Sequence, residues 1–262
     1  MGALHEGHFS LIRKSNQNND FTICSIYVNP TQFNDKNDFF SYPRNEQQDI
    51  DYLIFENCDI LFLPKDHEIY CEKEDQPEHD MIEAMTILEG EKRPGHFEGV
   101  VTIVYKLFNL INPDVAYFGE KDYQQLWIIK LFAKKLKPNI KIKGCPTIRD
   151  KYGLALSSRN TKLSELEIKN APRIFQALLF FKRKIELIKA EDELISTQLL
   201  QKIKEESVNN FIKNSLIKLD YFEVIDNENF RFASEIKITN SYRALIAAYI
   251  GNIRLIDNIL IE

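Results

Sequence analysis

Residues Phe21-Thr-Ile-Cys-Ser-Ile-Tyr-Val28 form a nearly continuous apolar run rich in β-branched and aromatic side chains. Such a run reads as a strand buried on both faces, as in a parallel sheet. Three shorter runs of this kind follow: Asp59-Ile-Leu-Phe-Leu-Pro64, Asp114-Val-Ala-Tyr-Phe118 and Ile140-Lys-Ile-Lys-Gly-Cys145. Helical patterns separate them. Phe9, Leu11 and Ile12 mark a short helix ending near residues 18–20. A second covers about residues 45–57, with Ile50, Leu53 and Ile54 inward. A third runs through Val100, Ile103, Val104, Leu107, Phe108 and Leu110, and a fourth turns Leu126, Ile129 and Phe132 inward. Strand and helix alternate throughout, the order of an α/β fold with right-handed crossovers.

The second half changes character. Residues 146–160 form a long loop, and residues 163–208 read as lysine- and glutamate-rich helices, apolar at Ile174, Leu178 and Leu187. Two or three strands close the chain, including Tyr221–Ile225, Ala244–Ala248 and Ile253–Ile256. The expected organisation is a parallel-sheet domain over residues 1–148 and a small α+β domain over residues 149–262.

Composition narrows the class. With 44% hydrophobic and 28% charged residues, the chain is expected to fold rather than remain disordered. A net charge of −5 argues against a general nucleic-acid partner but allows a local basic pocket for a charged small molecule. No apolar run is long enough to span a bilayer, so no membrane partner is expected. Cys24, Cys58, Cys71 and Cys145 are scattered without metal spacing, and a reducing cytoplasm is the expected compartment. Residues 65–82 read as a polar, acid-rich surface excursion, and His67 and His79 among its carboxylates fit a solvated face more than a metal site.

Chemistry concentrates in loops beside the strands. In His5-Glu6-Gly7-His8, two imidazoles three apart flank a glycine at an expected helix start. Free N–H groups and the helix dipole favour an anion there, and the glycine lets a phosphate approach the backbone. Gln32 follows the first buried strand, where open α/β sheets bind ligands. Lys121 and Gln125 follow the third strand, and Ser157, Ser158 and Arg159 lie together in the long loop. Singly, each has an ordinary structural reading as a cap or a solvated charge. Together they supply the cations and donors that a phosphate-rich cosubstrate needs.

Several segments occur in order: MGALHEGH (1–8), VNPTQF (28–33), LEG-x-x-RPGHF (88–97), GEKDYQQ (119–125), LSSRN (156–160) and RLIDN (254–258). Over almost its whole length the chain resembles the pantothenate synthetase (pantoate–β-alanine ligase) family, within the wider HxGH nucleotidylyltransferases. The resemblance implies a Rossmann-like nucleotide-binding domain followed by a smaller lid, and a homodimer built through the first domain. It implies that ATP and (R)-pantoate give pantoyl adenylate and pyrophosphate with Mg²⁺, and that β-alanine then displaces AMP.

Carried over by position, Met1, Gly2, Ala3, Leu4, His5, Glu6, Gly7 and His8 bind ATP, with His8 as proton donor. Gly119, Glu120, Lys121, Asp122, Leu156, Ser157, Ser158 and Arg159 complete the nucleotide site, with Ile148 at the adenine. His5, His8 and Lys121 offset charge on the phosphates, while Gln32 and Gln125 hold pantoate. Asn29, Arg93 and His96 stand behind them; Asp49 and Asp122 are candidate Mg²⁺ contacts, without a committed metal ligand. In the family a helix and a strand ending in Pro-Thr precede the Met-Gly-Ala-Leu-His motif, whereas this sequence starts at that Met. The implied strand would lie beside residues 21–28, and its loss would leave unpaired backbone. Residues 71–82 also look unlike the family. Two alternatives stand beside the ligase: another nucleotidylyltransferase on the same fold, and an inactive nucleotide-binding module. Pantoate-dependent ATP–pyrophosphate exchange separates them.

Overall fold

In the computed structural model, residues 2–34, 39–70, 82–190, 194–213 and 215–262 are described. The chain divides into two units, Met1–Ile148 and Arg149–Glu262.

Unit 1 alternates strand and helix. Helix α1 (Glu6–Asn16) leads to β1 (Ile23–Ser25), α2 (Glu46–Phe55), β2 (Ile60–Phe62), α3 (His96–Ile111), β3 (Val115–Gly119), α4 (Tyr123–Leu136) and β4 (Lys141–Cys145). Strand β1 pairs parallel with β2, Ile23 opposite Ile60, and β3 pairs parallel with β4, Val115 opposite Lys141. Among the described residues these are two separate two-stranded sheets. The side-chain amide of Asn19 donates to the Tyr117 hydroxyl at 2.9 Å, tying the end of α1 to β3.

The helices form where the apolar period predicts them. Leu126, Ile129 and Phe132 are buried along α4, and Phe97, Val100, Val101 and Ile103 along α3. Fully burying one such side chain stabilises the fold by about 1.5–3 kcal/mol. Gly99 in α3 has a packing reason: a Cβ there would lie 2.7 Å from the carbonyl oxygen of Thr31. The bare backbone lets α3 press directly on the turn that carries Gln32.

Several expectations are corrected. The run 21–28 is not buried on both faces. Phe21 is 74% exposed and Ile23 41%, because β1 is only three residues long and, among the described strands, pairs on one side only. Helix α2 is rotated from its expected setting: Asp49 and Leu53 are buried, while Ile54 is 69% exposed. Residues 88–97, whose Gly90, Pro94 and Gly95 read in sequence as a turn-rich loop, contain a one-turn helix, Glu89–Lys92, and His96 begins α3. The polar excursion after residue 65 is not wholly solvated: Ile69 is fully buried and Tyr70 reaches the Gln32 turn. Residues 71–81, with His79 and most of the acidic stretch, lie outside the described residues.

Unit 2 packs two helices, α5 (Arg173–Lys189) and α6 (Thr197–Phe211), on an antiparallel sheet. Its strands are β5 (Ile217–Asp226), β6 (Tyr242–Ile250) and β7 (Ile253–Ile261), with β6 in the middle. On α5, Ile174, Leu178, Phe181 and Ile185 recur at helical spacing and meet Ala244, Ile246, Ala248 and Ile250, which recur at strand spacing. Phe181 meets Phe222 edge-on at 5.2 Å between ring centroids. Leu187, expected on the apolar face, is 68% exposed, two residues beyond Ile185 and on the other side of the helix.

Candidate active site

The site in unit 1 starts from the loop that enters α1. His5 is the N-cap of that helix, in an extended conformation. Its Nδ1 accepts the N–H of Gly7 at 3.1 Å, and its own backbone N–H donates to His8 Nδ1 at 3.2 Å. Both Nδ1 atoms are therefore acceptors, which places the ring hydrogen of each neutral imidazole on Nε2. The rings lie 4.0 Å apart between centroids and tilt by 39°. Burial lowers the pKa of His5, helped by Lys121. Burial and then the neighbouring His5 lower that of His8 to about 3. Near neutral pH the pair is thus uncharged and offers two Nε2–H donors.

Lys121 acts electrostatically on both rings, which sets the Gly119–Asp122 loop beside residues 5–8. Its Nζ lies 3.8 Å from the exposed Asp122 carboxylate. Nothing lies within 4 Å of where a Cβ on Gly119 would stand, so the backbone there is open to a ligand.

A second cluster builds the Gln32 turn. Buried Asn29 donates from Nδ2 to the Gly99 carbonyl at 3.2 Å. Its Oδ1 accepts from the Thr31 hydroxyl at 3.0 Å and the Tyr70 hydroxyl at 2.7 Å. The backbone carbonyl of Gln32 accepts from Arg93 Nη2 at 3.2 Å and from His96 Nδ1 at 2.9 Å. His96 Nε2 lies 3.1 Å from Arg93 Nη1 and must accept from it. Burial, then the Arg93 charge, lowers the His96 pKa to about 4, so this ring is also neutral. Arg93 and His96 thus hold the turn and leave the Gln32 side-chain amide available.

Adjacent glutamines in α4 divide their work. The Gln124 amide is fully engaged: Oε1 accepts from the Glu89 N–H at 3.1 Å, and Nε2 donates to the carbonyls of Ala84 at 2.7 Å and Ile87 at 2.8 Å. That brace supports a segment in which Leu88 has a φ of +51°, the left-handed region. Gln125 stands half-buried one residue later in the first turn of the helix.

Two acidic candidates separate. Both carboxylate oxygens of Asp49 accept backbone N–H groups, from Ala3 at 2.9 Å and Leu4 at 2.7 Å, so it is a brace and not a free metal ligand. Asp122 keeps an exposed carboxylate. Among the described residues no group of three or more His, Cys, Asp or Glu could hold a metal ion by itself.

In unit 2, Ser157 caps the short helix Ser158–Lys162, accepting the Arg159 N–H at 3.3 Å. Asn160 donates to the Ala155 carbonyl at 3.0 Å. Leu156, Ser157, Ser158 and Arg159 are all half-buried, as is Ile148 at the end of unit 1. No local sequence signal marks Asp49, Tyr70 or Gln124 as supports for the site, because their partners are 35 to 46 residues away in the chain. Met1 lies outside the described residues.

The pantoate–β-alanine ligase family model matches residues 1–260. The chain belongs to the pantoate–β-alanine ligase family. It is therefore a ligase. The pantothenate synthetase of Caldicellulosiruptor bescii is 43% identical over 263 residues, covering 100% of this chain and 89% of the relative. A crystal structure of pantothenate synthetase from Thermus thermophilus is 35% identical, with a TM-score of 0.87 over 99% of this chain and 90% of that one. The pantoate–β-alanine ligase of Francisella tularensis, solved in complex with β,γ-ATP and β-alanine, is 39% identical, with a TM-score of 0.76 over 99% of this chain and 87% of that one.

Proposed function

We propose that this chain condenses (R)-pantoate with β-alanine through a pantoyl adenylate. The observation that carries the reading is the pair of preorganised Nε2–H donors on His5 and His8, with Lys121 beside them. A pantoate carboxylate oxygen attacks the α-phosphorus of ATP, and the bond to the bridging oxygen of pyrophosphate breaks. One anion approaches another, so donors and a cation must meet the charge that develops on the phosphate. The carboxylate needs no general base, which suits a site whose histidines are neutral. Gln32 and Gln125 bind pantoate through uncharged amides that leave its carboxylate nucleophilic. The β-alanine amine then attacks the acyl carbon, the C–O bond to AMP breaks, and the amide forms with loss of a proton.

Gly2 to His8 and Gly119 to Asp122 form the nucleotide half of this reading, with Met1 at its start and Ile148 at the adenine. Leu156, Ser157, Ser158 and Arg159 supply the phosphate-binding loop of a lid. Mg²⁺ would ride on the ATP phosphates and neutralise their charge, and the exposed Asp122 carboxylate is the residue that fits it. The free thiols of Cys24, Cys58 and Cys145 suit a reducing cytoplasm. The exposed apolar side chains of Phe21, Ile23, Phe55 and Ile60 suit a homodimer through unit 1.

His8→Ala tests the assignment. The variant is expected to fold while pantoate-dependent ATP–pyrophosphate exchange falls at least about 100-fold, the scale of removing one transition-state donor. Near-normal exchange in the folded variant would exclude His8 from this role.

A further inference from the structure

Asp49 sits in α2 among exposed polar neighbours, yet it is only 2% exposed. Its carboxylate turns to the start of the chain, where Oδ2 accepts the N–H of Ala3 and Oδ1 that of Leu4. A carboxylate that accepts two backbone N–H groups makes stronger bonds than a neutral acceptor. Ala3 has a φ of +53°, a left-handed conformation that a residue with a Cβ holds only when its surroundings impose it. His5 follows two residues later, and its backbone and ring close the reciprocal bonds with Gly7 and His8. The direction in which the chain leaves Ala3 and Leu4 therefore sets where both rings stand.

We infer that Asp49 is a positioning residue for the phosphate-facing histidines, fixing the Ala3–Leu4 backbone so that the Nε2–H groups of His5 and His8 share one orientation. This rests on the proposed role of residues 2–8 in binding ATP. The geometry itself does not: the two carboxylate bonds and the strained Ala3 belong to this chain whatever it binds.

The test compares Asp49→Asn, Asp49→Glu, His8→Ala and the unaltered protein. In Asp49→Asn one acceptor becomes an NH₂ facing an N–H, so the loop loses one of its two ties. The expected result is a fall of about 100-fold in kcat for pantoate-dependent exchange, with KM for pantoate changed less than about twofold. Excess Mg²⁺ is expected to restore nothing, and ¹⁵N spectra of the rings should change from a single Nε2–H tautomer to a mixture. If Asp49→Asn does not fold, Asp49→Glu keeps the charge but displaces it by one methylene, and the same kcat loss is expected. Wild-type exchange in either folded variant, recovery with excess Mg²⁺, or unchanged ring tautomers would each overturn the inference. Full exchange in His8→Ala would instead overturn the ATP role of the loop, and the tautomer spectra would still decide whether Asp49 orients the rings.

Discussion

The three histidines of the unit 1 site share one property: hydrogen bonds and burial keep each of them neutral. Protonating Nδ1 of His5 or His8 would remove the acceptor that caps α1. Protonating His96 would set its Nε2 against Arg93. The folded protein therefore binds fewer protons than the unfolded chain from about pH 6.5, the ordinary histidine value, down to about 3 for His8 and about 4 for His96. Where the unfolded state binds more protons, stability rises with pH. The contribution is fully present above about pH 6.5 and is lost on acidification through that window. Urea midpoints between about pH 7.5 and about pH 5, where ordinary carboxylates stay ionised, should fall as the pH falls. A flat profile would contradict the neutral assignments. At this scale the sequence offered candidates but not their supports. His5, His8, Gln32, Lys121 and Gln125 stood out by residue type, spacing and place beside the strands. Asp49 offered only a candidate metal contact, uncommitted, because nothing local reveals a partner 45 residues away. Tyr70 looked solvated for the same reason, since its bond to Asn29 depends on how β1 and the segment after β2 meet.

At the scale of elements, the Ser157–Arg159 loop depends on a hairpin-like turn held by a distant strand. Arg149 pairs with Asp257 through two bonds, at 2.6 and 2.8 Å, and donates to the Gly153 carbonyl at 3.1 Å. Its guanidinium lies 3.5 Å from the centre of the Phe175 ring. The Asp150 carboxylate accepts the N–H groups of Tyr152 and Leu154, and Gly153 takes a φ of +97°, which only glycine adopts without strain. A bridge between Arg149 and Ala155 closes the turn just before Leu156. Asp257 is buried, so Arg149→Ala would strand a charge. Removing one partner of such a pair costs about 3–5 kcal/mol, and denaturant unfolding should show it. A variant with the stability of the parent would show that the pair contributes nothing net. Asp257 lies in the RLIDN segment, whose presence was visible in the sequence but whose purpose was not. The buried face, not the extent of the helix, differed where tertiary packing overrode periodicity: α2 turned to bury Asp49, leaving Ile54 in solvent.

At the scale of the whole molecule, the alternation of apolar runs and amphipathic helices was enough to give the α/β class, because each parallel strand must be followed by a crossover. The extent of burial was not legible, since an apolar run does not say how many neighbours its strand will have. In the proposed reaction a pantoate oxygen becomes bonded to the α-phosphorus before the amide forms. Pantoate labelled with ¹⁸O in its carboxylate, turned over with ATP and β-alanine, tests this directly by mass spectrometry of the AMP. Attack at phosphorus followed by cleavage of the acyl C–O bond transfers one labelled oxygen to AMP, which is the predicted result. AMP free of label, with both labelled oxygens accounted for elsewhere, would contradict the adenylate route.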